Sequence, residues 1–250
     1  MPTAFPFPAP ERLPLKITPC PIVEAVMEVR FVPNRPWDHF PGLFAEKFGP
    51  RYPKEEDTGV SQIPQVLRER DQSLAHLPYR RFIGDHFTLL TGPHVVGLAT
   101  KHNAYPGWDS FWQEMTQVLV GLQQMGIVRE TTRLGLRYIN FFVFDVFDHL
   151  SLSLNVVGNP MKNPETGVST VLVQTPFRHL LQINNSAVIA GSDKQPKLGS
   201  ILDIDTSITA KVHHIFDQAE ALFRQAHIAE KGLFFGLLKP SFVATLNPEY

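Results

Sequence analysis

Seven charged residues have the types and spacing to do chemistry: Glu24, Glu28 and Arg30 in PIVEAVMEVRF, Arg133 and Arg137 in RLGLRYIN, Asp203 and Asp205 in ILDIDTS. Separations of two and four residues put each set on one face of a β-strand. If the first two strands are neighbours, carboxylates oppose guanidiniums, which favour planar, two-point hydrogen bonds with them. The charge on the opening strand is therefore expected to pair with Arg133 and Arg137. Such pairing has two uses. It can be an ionic ladder that fixes strand register, since buried charge is tolerated mainly when paired. It can also be a pocket, with Arg holding a phosphate or carboxylate and Glu serving as base or metal ligand.

Asp203 and Asp205 share a face just ahead of a helical pattern, where a carboxylate caps free backbone amides or binds a metal. Capping is the plainer role. Joined to Glu24 and Glu28, the same carboxylates would make a cluster suited to magnesium and phosphoryl chemistry. His213 and His214 are adjacent on a helix and point apart, while His213 and Asp217 at i and i+4 can meet, without a third ligand in view. No HExxH, GxSxG, GxGxxG or GxxxxGK[ST] occurs, so no catalytic residue is assigned and no motif implies a cofactor. Tyr105, Trp108, Phe111 and Trp112 can stack on bases or line a pocket rimmed by Lys101 and His102, but their helical spacing fits core. The single cysteine, Cys20, lies between prolines and reads as an inert thiol.

The elements that must position these groups follow from periodicity. Residues 1–21 are proline-rich and read as an extended arm, with Phe5 and Phe7 as occasional anchors. Val23, Ala25, Met27, Val29 and Phe31 alternate as a strand over 22–32. A short helix is predicted over 38–48, then a polar loop over 53–75, then a hairpin over 79–99 turning at TGPH. Trp108, Phe111, Trp112, Met115, Val118, Leu119, Leu122 and Met125 form one stripe of a helix, with Ser110 and Gln113 as its capping box and Gly126 as its stop. TRLGLRYINFFVF reads as a central strand. Strands follow near 150–157, 169–176, 178–184, 187–190 and 200–205, with NNS a turn between two of them. A helix capped by Thr206 or Ser207 carries Val212, Ile215, Phe216, Ala219, Leu222, Phe223 and Ala226, and GLFFGLL begins a last short one.

The predicted architecture is α+β, a largely antiparallel, curved sheet packed against two long amphipathic helices in one domain over 22–250. Strands then a helix recur in both halves, which admits a degenerate duplication, although the two helices do not align residue by residue. With 43% hydrophobic and 19% charged residues in 250, the chain reads as globular. A net charge of -1 gives no global pull toward nucleic acid or an anionic membrane. No signal-peptide pattern and no membrane-length apolar run is present, so a soluble cytoplasmic protein is expected.

PIVEAVMEVRF, RYP at 51–53, GW at 107–108, RLGLRYIN at 133–140 and LDID at 202–205 together resemble a sporadically distributed bacterial protein family of unknown function. The resemblance covers about 20–240; RLGLRYIN is its most specific part. It implies an intracellular bacterial protein of one domain and carries no known activity or catalytic residue. The functional expectation is a non-catalytic ligand-binding or protein-interaction scaffold, with a homodimer, a protein partner or a small anionic ligand as its counterpart. The alternative is a metal-dependent enzyme acting on a phosphorylated or nucleic-acid substrate, its Glu/Asp cluster assisted by Arg.

Overall fold

The computed structural model describes residues 10–71, 73–160, 165–190, 195–208 and 215–250. In chain order the elements begin with β1 (Ile22–Pro33), a 3-10 turn at Trp37–His39, α1 (Phe40–Phe48), β2 (Lys54–Asp57) and α2 (Gln65–Arg70). Then come β3 (Arg80–Ile83), β4 (Phe87–Gly92), β5 (Val95–Thr100), α3 (Trp108–Met125) and β6 (Val128–Phe142). After these come β7 (Asn155–Val156), β8 (Asn159–Pro160), β9 (Gly167–Gln174), β10 (Phe177–Ala190), β11 (Pro196–Ile208), α4 (Ile215–Leu237) and α5 (Pro240–Thr245). Nine strands form one sheet in the order β2-β3-β4-β5-β1-β6-β11-β10-β9, and β7 and β8 form a separate pair. The α+β class and the large antiparallel sheet are as the sequence predicts. Among the described residues, three helices of seven residues or more accompany it, α1, α3 and α4, where two long ones are expected. No helix of the described residues is long and apolar enough to cross a membrane.

The chain divides into two compact units built from interleaved segments. The first comprises Glu24–Leu136 and Ser207–Phe223. Its β1 explains itself: Ala25, Met27, Val29 and Phe31 are at most 1% exposed, whereas the residues between them stay half-buried. Burying each of Met27, Val29 and Phe31 contributes roughly 1.5–3 kcal/mol. The buried face meets an aromatic cluster from α1, where Phe40, Phe44 and Phe48 follow one another at ring separations of 6.2 and 6.0 Å. In α3, Phe111, Met115, Val118, Leu119 and Leu122 are buried on one stripe, so Phe111 and its neighbours serve the core. Gly126 ends α3 with a left-handed φ of 59°, its N–H reaching the carbonyls of Leu122 and Gln123.

Two sequence readings in this unit need correction. The helix starts from Gly107, whose φ of 94° suits glycine, so Ser110 lies inside the first turn and does not cap it. The segment 53–75 is not a plain loop. KEED forms edge strand β2 because its charges find partners on β3: Arg81 Nε donates to Glu56 Oε2 at 2.7 Å, and Arg80 Nε lies 3.0 Å from Asp57 Oδ1. A strand held by charged pairs has no apolar alternation to reveal it. β3 likewise adds a third strand ahead of the hairpin that turns between Gly92 and Val95.

The second unit comprises Met1–Val23, Arg137–Thr206 and Arg224–Tyr250. Its core joins Phe142 of β6, Leu181 and Ile183 of β10, Leu202 and Ile204 of β11, and Leu233, Phe234 and Leu237 of α4. The arm is tied down from residue 15 by backbone bonds, Leu15 N–H to Glu249 O at 2.6 Å and Thr18 N–H to Leu246 O at 2.7 Å. Phe5 and Phe7 lie outside the described residues. NNS does not turn the chain: β10 runs through it, with Ser186 taking the left-handed φ of 55° that polar residues tolerate. Thr206 and Ser207 are strand residues of β11 rather than helix caps, and GLFFGL is the end of α4 rather than a new helix. His213 and His214 lie outside the described residues.

Candidate functional site

In the first unit, the even-numbered side chains of β1 carry Glu28 and Arg30 on the face opposite the core. Arg30 Nε donates to Glu28 Oε1 at 2.6 Å, with Nη2 3.4 Å from Oε2. Arg133 of β6 donates from Nη1 to the same Oε1 at 2.5 Å. Two guanidiniums therefore converge on one carboxylate. The side chains are 32%, 12% and 23% exposed for Arg30, Arg133 and Glu28, so the patch is half-buried yet open to solvent.

The sequence makes room for this arrangement. A Cβ on Gly135 would lie 2.2 Å from Arg133 Nη1, so Arg133 can fold back over its own strand only because residue 135 is glycine. Strand β6 meets β1 in antiparallel sense: Asn34 N–H bonds Ile127 O at 3.0 Å, and Phe141 N–H bonds Pro21 O at 2.9 Å. That register sets Arg133 beside Glu28. The same contacts hold the register, so the ladder role and a ligand role share one geometry.

Two histidines border the trio. The carbonyl of His94 accepts the N–H of Phe31 at 3.0 Å, and the His76 ring lies 6.2 Å from the His94 ring. Burial lowers the His76 pKa and the charge of Arg30 adds to the effect, while Glu28 pulls it partly back. His76 Nδ1 is buried without a hydrogen-bond partner. Neither histidine has a spacing signal in the sequence; His76 comes from the segment after α2 and His94 from the β4–β5 turn.

The second unit holds Arg137 and Asp203. Arg137 forks onto Asp203, Nε to Oδ1 at 2.8 Å and Nη2 to Oδ2 at 2.5 Å. Asp203 is thus a mid-strand ion-pair partner, and the capping role expected for Asp203 and Asp205 is overturned because β11 continues to Ile208. Glu24 and Asp205 are both half-buried and engaged with neighbours. Among the described residues, no group of three or more His, Cys, Asp or Glu side chains could hold a metal ion. A concavity of about 520 Å³ lies by α2, lined by Ile63, Leu67, Arg70, Asp71 and Leu74, without any member of the charged trio.

Three buried polar groups escape sequence reasoning altogether. Glu114 of α3, 4% exposed, receives Arg51 Nε at 2.5 Å and also bonds Arg51 Nη2 and the Tyr52 hydroxyl. It anchors RYP to the long helix. His179 of β10, fully buried, has Nδ1 2.8 Å from Thr206 Oγ1 and leaves Nε2 unmatched. Glu230 of α4, 3% exposed, has an unmatched Oε2. Each is a lone polar residue inside an apolar pattern, and its partner, where one exists, is remote in sequence.

A scan against protein-family models and a search of curated proteins both return no match to the chain.

Proposed function

We propose that the protein is a binding protein that takes a small carboxylate- or phosphate-bearing ligand on the open sheet face at Arg30 and Arg133, without chemically transforming it. The observation that supports this reading is the convergence of two guanidiniums on one carboxylate at a half-buried cluster on the sheet face. Planar guanidiniums suit two-point recognition of oxyanions, and partial burial strengthens each contact relative to water. Glu28 serves as the organiser that holds both arginines in place. Its oxygens are committed to Arg30 and Arg133, which argues against a free base at this position. The metal-dependent alternative gains no support from the described carboxylates, since Glu28 and Asp203 are both held by arginine.

Calorimetric titration of inorganic phosphate and of citrate into the full chain at low ionic strength tests the proposal. Saturable, salt-sensitive binding is expected, weakened about tenfold, or ~1.4 kcal/mol, by Arg133→Gln. Absence of heat with both anions, or equal affinity in Arg133→Gln and Arg30→Gln, would sink it.

A further inference from the structure

The chain leading from α2 to β3 crosses the sheet face that carries Arg30. Ladder partners share a face, and Gly92 of β4 opposes Val95 of β5, which in turn opposes Arg30 of β1. These three positions make one row across the three strands. A Cβ on Gly92 would lie 2.8 Å from the carbonyl oxygen of Leu77 and 3.3 Å from Pro78 Cα, so residues 77 and 78 rest directly on that row, and glycine is what lets them approach so closely. His76 is the next residue back along the chain. Its ring meets the His94 ring edge-on at 6.2 Å and 82°, and Arg30 is the charge that acts on it most strongly, ahead of His94 and Glu28. Its Nδ1 is buried and has no hydrogen-bond partner among the described residues.

Resting on the anion site proposed above, we infer that His76 is its third arm: the imidazole takes up a proton as an oxyanion arrives at Arg30 and Arg133, so the ligand is held more tightly in acid. Two features couple the events. An imidazolium carries a donor on each nitrogen, and an oxyanion seated at Arg30 supplies the acceptor that Nδ1 otherwise lacks. The guanidinium of Arg30 also opposes a second cation beside it, and a bound oxyanion cancels that opposition. The charged and titratable groups acting on the ring are Arg30 and Glu28 of β1 and His94 of the β4–β5 turn, with Arg133 of β6 joined to them through Glu28. Burial, then Arg30 and His94, hold the His76 pKa below its ordinary 6.5, and a bound oxyanion lifts it, so binding takes up a proton between the two values. Affinity therefore climbs as pH falls through the upper value and levels off below the lower one. A lift of one pH unit corresponds to about a tenfold gain in affinity.

The experiment uses the full chain with sulfate and oxalate, whose charge stays fixed between about pH 5.5 and 8. Calorimetric affinity is expected to be about tenfold higher at the acid end, and titrations near pH 6 in two buffers of different ionisation enthalpy should show net proton uptake. His76→Gln should flatten the pH dependence and abolish the uptake, while His94→Gln should keep both. Should His76→Gln fail to fold, the buffer comparison in wild type and His94→Gln decides the matter. Affinity that is level across the range, or a pH dependence that survives in His76→Gln or vanishes in His94→Gln, overturns the inference and leaves the anion site standing. Binding of phosphate alone, which brings its own O–H, overturns it too. Absence of saturable binding by sulfate, oxalate and phosphate alike brings down the anion site and the inference together.

Discussion

Arg133 lies across the bare Cα of Gly135 and places Nη1 2.5 Å from Glu28 Oε1, so one missing methyl group and one ion pair form a single device. Gly135→Ala separates the two. The new Cβ would meet the far end of a flexible side chain, not backbone, so Arg133 can move aside at a stability cost of roughly 1 kcal/mol. The Glu28 contact should be lost in the process. Chemical denaturation should show a small change while phosphate affinity falls as far as in Arg133→Gln; retained affinity would dissociate the glycine from the site.

Glu114→Ala tests the anchor between RYP and α3. The variant strands the hydroxyl of Tyr52, whose side chain is 2% exposed, and should cost about 1–3 kcal/mol. The denaturant midpoint should drop with an unchanged slope. Burial pushes the Glu114 pKa up, but bonds from Arg51 and Tyr52 outweigh it and hold the carboxyl below its ordinary value. A depressed carboxyl stabilises the fold above its unfolded pKa, near 4.5, and loses that contribution as pH falls through the folded value. The wild type should therefore lose stability in acid more steeply than Glu114→Ala.

His179 gives a second limb to the pH profile. Burial pushes its pKa down to about 4, against a partial upward pull from Asp205. The unfolded chain binds the proton first, so this residue's contribution is intact above pH 6.5 and is lost progressively as pH falls toward 4. The full effect is on the order of 3 kcal/mol, from about 1.4 kcal/mol per pH unit. His179→Gln should flatten the stability profile across that window, which thermal melts at a series of pH values would read.

Glu230 acts in the opposite direction. Burial, followed by the nearby charges of Asp205 and Asp203, raises its pKa well above the ordinary value. The folded state holds the proton longer than the unfolded state, so stability falls as pH rises from about 4.5 through the folded pKa. Glu230→Met removes the buried carboxyl and keeps a helix-forming side chain. It should be more stable than wild type at pH 8, with the advantage shrinking toward pH 4.5; an equal or larger advantage in acid would refute the assignment.

How far the sequence could be read depends on how local the signal is. The apolar row of β1 and the stripe of α3 are repeated patterns, and the left-handed stop at Gly126 follows from one residue's conformational freedom. These were legible. β2 was not, because a strand held by charge pairs looks like a loop until its partner strand is known. β10 passes through NNS because flanking ladder pairs outweigh the turn preference of three residues. Within the site, alternation put Glu28 and Arg30 on one face, and the four-residue spacing did the same for Arg133 and Arg137. Which carboxylate each arginine would take depends on the order of strands: Arg133 met Glu28, while Arg137 forked onto Asp203 of β11. Glu114, His76 and His94 are single residues whose importance arises only from contacts far along the chain.

The dense charge of β2 has a bearing on assembly as well as on solubility. Stripping water from Lys54, Glu55, Glu56 and Asp57 to stack another strand there would be costly, so that border of the sheet resists growth.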